Sequence, residues 1–242
     1  MEGKPSGTPM QSNKFLAGEL CEEVLCLVEA PPCLSGKSGL DGKVFVFPKP
    51  SATDYVLLKP AIQAPLQRLT LCLDFFTDLD RSFSLFSAAS AQQDNEILFF
   101  IIFPNKYEVC VGGSCITFLV PKATDGSSSH WETACMAWES TTGIVQVWAN
   151  GQPLPRKAVA RGHQIPRDLV VMLGQEQDSY GGSLDTRQSF VGEMAEVYMW
   201  DTVVPPDQLR RIRRYGVPAP LLDWAALKYE IKGQVSIERT LK

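Results

Sequence analysis

Residues 97–120 read ILFFIIFPNKYEVCVGGSCITFLV, three short apolar runs parted by Pro104-Asn105 and by Gly112-Gly113. Runs of this length, rich in β-branched and aromatic residues and closed by turn formers, are strands and not helices. Gly-Gly supplies the positive φ that both central residues of a two-residue hairpin need, so Tyr107–Val111 and Cys115–Val120 pair antiparallel. That turn sets Cys110 opposite Cys115 at the closer, non-hydrogen-bonded position. The pair lies within reach of disulfide geometry, and on sequence grounds a bond and two free thiols are both open.

The same pattern continues on either side. Strands are expected at Val44–Phe47, Tyr55–Lys59, Leu69–Phe75, Phe83–Ser87 and Ile97–Phe103, then at Thr133–Glu139, Ile144–Ala149, Leu169–Leu173 and Phe190–Trp200. Asn150-Gly151 is a second strong hairpin signal. Many short strands separated by Gly, Pro, Asn and Asp predict an all-β, antiparallel, two-sheet sandwich. One short α-helix is expected, over Pro205–Tyr215, with two prolines at its start, Asp207 in its first turn, and Leu209 and Ile212 on one face. Arg210, Arg211, Arg213 and Arg214 fill the rest of that helix. They read as a solvated basic face, or as a contact for an anion or a partner protein.

At 242 residues, with 45% hydrophobic and 21% charged residues, the chain suits one large globular β domain. A formal charge of −4 argues against nucleic acid as the main partner, because phosphate-backbone binding needs a broad basic surface. No apolar run reaches the length of a transmembrane span. Seven cysteines and two histidines, His130 and His163, form no paired zinc pattern. Residues 1–39 mix Gly, Pro, Ser and Lys around a short apolar patch, and Glu19, Glu22, Glu23 and Glu29 break or flank it. This segment reads as an atypical, disordered amino terminus with no evident signal peptide, and residues 40–242 as the domain.

Oxygen ligands are densest in Gly174–Gln188, GQEQDSYGGSLDTRQ. Glu176 and Asp178 stand two apart after a strand, so in extended backbone their carboxylates share one side. Gly181 and Gly182 let the chain turn back and return Asp185 and Gln188 toward the same point. Like charges repel unless a cation holds them, and a hard divalent ion taking six to eight oxygens makes calcium the natural ligand. A solvated acidic loop that binds nothing has the same composition.

The runs L-G-Q-E-Q-D-S-Y-G-G, Q-S-F-V-G-E and M-W-D, with L-D-G-K-V-F-V-F-P-K near the start, resemble the short pentraxins, the family of C-reactive protein and serum amyloid P component. The resemblance extends from about Leu40 to about Val235. It implies a lectin-like jelly roll with one helix, secretion, a cyclic homopentamer and two calcium ions per subunit. It further implies innate-immune pattern recognition of anionic ligands such as phosphomonoesters or carboxylated glycans, and complement or other effector proteins as partners. The alternative is an interaction protein that keeps the pentraxin fold but has lost ligand recognition.

Carried over position by position, the first ion would be held by Asp94, Asn95, Glu176, Asp178 and the backbone carbonyl of Gln177. The second would take Glu176, Asp178, Asp185 and Gln188. Cys72 and Cys135 match the family's internal disulfide. The signature around the second cysteine, His-x-Cys-x-Ser/Thr-Trp-x-Ser/Thr, keeps Cys135, Trp138 and Ser140 but has Thr133 and Ala137 at the other positions. Beside the ions, Phe100 matches an aromatic that packs on the ligand. Cys115, the partner of Cys110, stands where the family places a glutamate facing a ligand's ammonium group. No enzyme is expected: Glu176-x-Asp178 opens a Glu-x-Asp-x-x-Glu hydrolase pattern, but Gly181 occupies the position of its last acid.

Overall fold

The computed structural model describes residues 39–121, 130–205, 208 and 221–241. In chain order the strands are β1 (Lys43–Phe47), β2 (Tyr55–Leu58), β3 (Arg68–Phe76), β4 (Phe83–Ala89), β5 (Ile97–Ile102), β6 (Lys106–Val111) and β7 (Ser114–Leu119). There follow β8 (Glu132–Glu139), β9 (Ile144–Ala149), β10 (Gln152–Pro153), β11 (Lys157–Ala158), β12 (Val170–Leu173), β13 (Gly192–Trp200), β14 (Tyr229–Lys232) and β15 (Ser236–Arg239). They form two antiparallel sheets, one ordered β10-β9-β8-β3-β13-β1-β15 with β11 also on β9, the other β14-β2-β12-β4-β5-β6-β7. This is the expected two-sheet jelly-roll sandwich. The expected helix falls, apart from Pro205 and Gln208, outside the described residues.

Alternation along β5 shows how the core is built. Ile97, Phe99 and Ile101 join the core between the sheets, whereas Leu98 and Phe100 form a separate outer cluster with Cys110. The inter-sheet core includes the fully buried Trp138 and Trp224, and Phe45 stands edge-on to Trp224 at 5.3 Å, the favoured geometry for two aromatic quadrupoles. Both hairpin readings hold. Asn150 and Gly151 have φ of 50° and 77°, and Gly112 and Gly113 of 54° and 74°.

Four strands lay outside the sequence reading: β10, β11, β14 and β15. The sandwich runs on past Val235, where the resemblance ended, because β15 pairs along β1 from Lys43↔Arg239 to Val46↔Ser236. Both β14 and β15 are edge strands. Edges carry charges that discourage pairing with other chains, here Glu230 bonded to Lys232 on β14 and Glu238 and Arg239 on β15. Those charges erase the apolar signal by which strands are recognised.

Candidate metal centre

Gly174 ends β12 with φ of 81°, and a Cβ there would lie 2.3 Å from Cε1 of Phe47, so only glycine fits this reversal. The chain then runs back over the outer side of β4. Two buried glutamines fasten it. The Gln175 carbonyl accepts from Ser84 Oγ at 2.9 Å, and its side-chain Nε2 donates to the carbonyls of Ser51 and Asp54. Gln177 donates its backbone N–H to Ser87 Oγ and its Nε2 to Ser87 O and Val170 O, while its Oε1 accepts from Gly181 N. A tight turn closes the loop tip through Ser179 and Gly182. Gln175 and Gln177 are thus tied to the sheet, and Glu176 and Asp178 alternate with them along the segment. They stand at different depths, Glu176 buried at 4% exposure and Asp178 exposed.

The second half of the constellation lies between β4 and β5. Asp94 Oδ1 accepts from Asn95 N and from Gln93 Nε2, both at 2.8 Å. The Gly112-Gly113 turn buttresses this loop from beside it, donating Gly112 N to Glu96 O and Gly113 N to Asn95 O. Beneath, the buried Glu96 bonds His163 Nε2 with one oxygen and accepts from Ser90 Oγ with the other. A Cβ on Gly112 would lie 2.8 Å from the His163 ring. Sequence reasoning passed over Glu96, His163, Ser84, Ser87 and Ser90. The one cue was Glu96 completing Asp94-Asn95-Glu96.

The two halves act on one another electrostatically. Burial, then the charges of Asp178 and Asp94, raise the Glu176 carboxyl to about 7, with an opposing hydrogen bond from Asn95 and a smaller push from Asp185. Among the described residues, six buried side-chain nitrogen or oxygen atoms lack a partner, and three of these are Glu176 Oε2, Asn95 Oδ1 and Gln188 Oε1. Each is an acceptor oxygen, and the Asn95 amide already hydrogen-bonds the Glu176 carboxyl. A buried acceptor without a partner costs about 1–3 kcal/mol, and hard cations are the ligands that satisfy such oxygens. Among the described residues no three Asp, Glu, His or Cys side chains meet at one point. The three carboxylates that each expected ion set contains, Asp94, Glu176 and Asp178 for the first and Glu176, Asp178 and Asp185 for the second, are therefore not gathered at one point here.

Asp185 differs from the rest. Its Oδ1 accepts from the backbone N–H of Arg187 at 2.9 Å, and Arg187 Nη2 meets its Oδ2 at 2.7 Å. That hydrogen bonding holds its carboxyl below the usual carboxylate range.

Beside the loop, Leu98 lies opposite Cys110 and Phe100 opposite Glu108, and Cys110 opposite Cys115. Cys110 and Cys115 are bonded, which resolves the choice the sequence left open. Phe100 is only 7% exposed and Cys110 is wholly buried, leaving the exposed Cys115 as the accessible part of the trio. Position 115 offers no charge, but Glu108 brings a half-buried carboxyl to the same face, its pKa raised by desolvation. Cys72 and Cys135 are likewise bonded, directly opposite on β3 and β8, and pack with Trp148 and Trp200 on the outside of the other sheet. Thr133, at the signature's missing histidine, donates its hydroxyl to Asp74 at 2.7 Å.

Comparison with known proteins gives a consistent result. A family model described as "Pentaxin family" matches residues 43–239. The chain is 42% identical to the mucosal pentraxin of Bos taurus over 218 residues, 90% of this chain and 97% of the relative. It is 44% identical to C-reactive protein of Homo sapiens over 203 residues, 83% of this chain and 89% of the relative. With serum amyloid P-component of Homo sapiens the identity is 43% over 200 residues, 82% and 88% of the two chains. Among solved structures, the native heptameric SAP-like pentraxin from Limulus polyphemus superposes with a TM-score of 0.73 at 21% identity, covering 83% of this chain and 96% of that one.

Proposed function

The chain belongs to the pentaxin family, and from that premise we propose that it is a calcium-dependent pattern-recognition protein for ligands bearing phosphate or carboxylate. The observation that carries this reading is the set of buried, unpartnered oxygens on Glu176, Asn95 and Gln188. All three occupy positions that the resemblance assigns to calcium. Asp94, Asn95, Glu176, Asp178 and the Gln177 carbonyl would hold one ion, and Glu176, Asp178, Asp185 and Gln188 a second. Bound there, calcium would neutralise the crowded carboxylates and offer open coordination to an anionic ligand oxygen.

The chain's own residues do the positioning. Gln175 and Gln177 fix the backbone that carries Glu176 and Asp178, and the Gly112-Gly113 turn holds the Asn95 carbonyl. Two disulfides suit an oxidising compartment, and no helix among the described residues is long and apolar enough to cross a membrane. The disulfides support secretion. A ring of identical subunits, a homopentamer in this reading, is proposed from the family, as are effector-protein contacts and a role without catalysis.

The test is retention on an immobilised phosphomonoester matrix. Retention with calcium and release by chelator is the expected result. Calcium binding without retention would favour the alternative, a pentaxin-fold interaction protein that has lost ligand recognition. Equal behaviour with and without calcium would refute the proposal.

A further inference from the structure

The proposed metal ligands fall into two states. Glu176, Asn95 and Gln188 each present a buried oxygen with no partner, whereas both oxygens of Asp185 are taken by Arg187. Oδ1 accepts from the backbone N–H and from Nε at 2.9 and 3.2 Å, and Oδ2 accepts from Nε and Nη2 at 3.0 and 2.7 Å. A guanidinium gripping a carboxylate with two donors matches its geometry and charge as a cation would. Its placement is also dispensable to the fold. The Arg187 side chain is 88% exposed, so it can swing into solvent without loss of packing.

The backbone around it is held independently. Arg81 Nη1 donates to the Arg187 carbonyl at 3.0 Å and to the Ser82 carbonyl at 3.1 Å. Ser84 N donates to Gln188 O and Gln188 N to Asp185 O, both at 2.9 Å. Departure of the Arg187 guanidinium would therefore leave the Asp185 and Gln188 backbone in place.

We propose that Arg187 is a built-in competitor for the second cation position: its guanidinium holds the Asp185 carboxylate until a calcium ion displaces it, making that position the weaker of the two. This rests on the calcium-site reading above. The Glu176–Asn95 half of the site has no such internal cation among the described residues and is open to the first ion. The second ion must break an exposed ion pair, a loss that corresponds to about a two- to fivefold weakening.

Calcium titration by calorimetry, with the full chain at fixed pH and ionic strength, tests it. The parent should show a tighter and a weaker step. Arg187→Ala should tighten the weaker step about two- to fivefold and leave the tighter one unchanged, and Arg187→Lys, charged but without the fork, should fall between. Direct competition requires Asp185, so in an Asp185→Asn background Arg187→Ala should change nothing. Long-range repulsion between Arg187 and calcium would persist in that background, and persistence of the effect would overturn the proposal. So would an unchanged second step in Arg187→Ala. A parent that takes up no calcium in either step would refute the calcium-site reading itself, an outcome separate from two steps insensitive to Arg187.

Discussion

Replacing Glu176 by Gln should move the stability of the metal-free and calcium-loaded protein in opposite directions. The metal-free fold holds this carboxyl at about 7, against an ordinary 4.5, because burial and the charges of Asp178 and Asp94 oppose its ionisation. The folded state therefore binds the proton more tightly than the unfolded state. Below about pH 4.5 both states are protonated and the group contributes nothing. Between 4.5 and 7 the unfolded state ionises first, so stability falls as pH rises, and above 7 the full penalty persists. At about 1.4 kcal/mol per pH unit that penalty reaches at most about 3.5 kcal/mol. Asp178 is exposed, and salt screens its share of the repulsion, so about 2 kcal/mol is expected near physiological ionic strength. Glu176→Gln keeps the shape and removes the charge. In urea unfolding at pH 8 with chelator the variant should be about 2 kcal/mol more stable than the parent, and at pH 4 the two should coincide. With saturating calcium at pH 8 the order should reverse, because the parent gains a ligand the variant lacks. A chelated variant no more stable than the parent at pH 8 would refute the picture of a carboxylate held ionised against its surroundings.

Three further outcomes are expected. Chelation should leave Glu176, Asp178 and Asp185 unneutralised and make the loop tip around Tyr180, which is exposed, cleavable in limited proteolysis; Asp178→Ala should be cut at the same place with calcium present. Non-reducing peptide maps should recover both disulfides, and in the chain-entropy model their removal costs about 4 kcal/mol for Cys72–Cys135, with 63 residues of separation, against about 2 for Cys110–Cys115, with 5. Calorimetry at fixed calcium should find phosphocholine and phosphoethanolamine within tenfold of each other, about 1.4 kcal/mol, since Phe100 and Cys110 are buried and position 115 carries no charge. A larger phosphocholine preference that vanishes in Glu108→Gln would instead assign the ammonium contact to Glu108.

Local sequence was enough for the strands whose side chains alternate between core and solvent, or lie wholly in the core. It failed at two charged edge strands, Tyr229–Lys232 and Ser236–Arg239, which hold their places through backbone pairing and carry the charges of a loop, whereas the apolar edge strand β7 was readable from its hairpin turn. The proposed metal ligands stand out for a different reason: Glu176, Asp178 and Asp185 crowd into one segment, and crowding of like charge is visible without a fold. Their supports were not. Ser84, Ser87 and Gln177 are ordinary residues until β4 and the returning loop lie side by side, and His163 is a lone histidine until the fold sets it against Glu96, 67 positions away in the chain.

Those supports explain why a cysteine pair stands where the family places a ligand-facing glutamate. The tip of the β6–β7 hairpin is a structural prop: Gly112 N and Gly113 N donate to the carbonyls of Glu96 and Asn95, and the His163 ring closes over Gly112. A two-residue turn with positive φ at both positions is held open only by the ladder beneath it, and Cys110–Cys115 is the second rung below that turn. Bonding the rung covalently fixes the hairpin tip, and through it the loop carrying Asp94 and Asn95. In the proposed reading, this position exchanges a charge that could select a ligand's cationic part for a crosslink that orders two of the proposed metal ligands, and recognition would then rest on the anionic oxygen that completes a calcium shell.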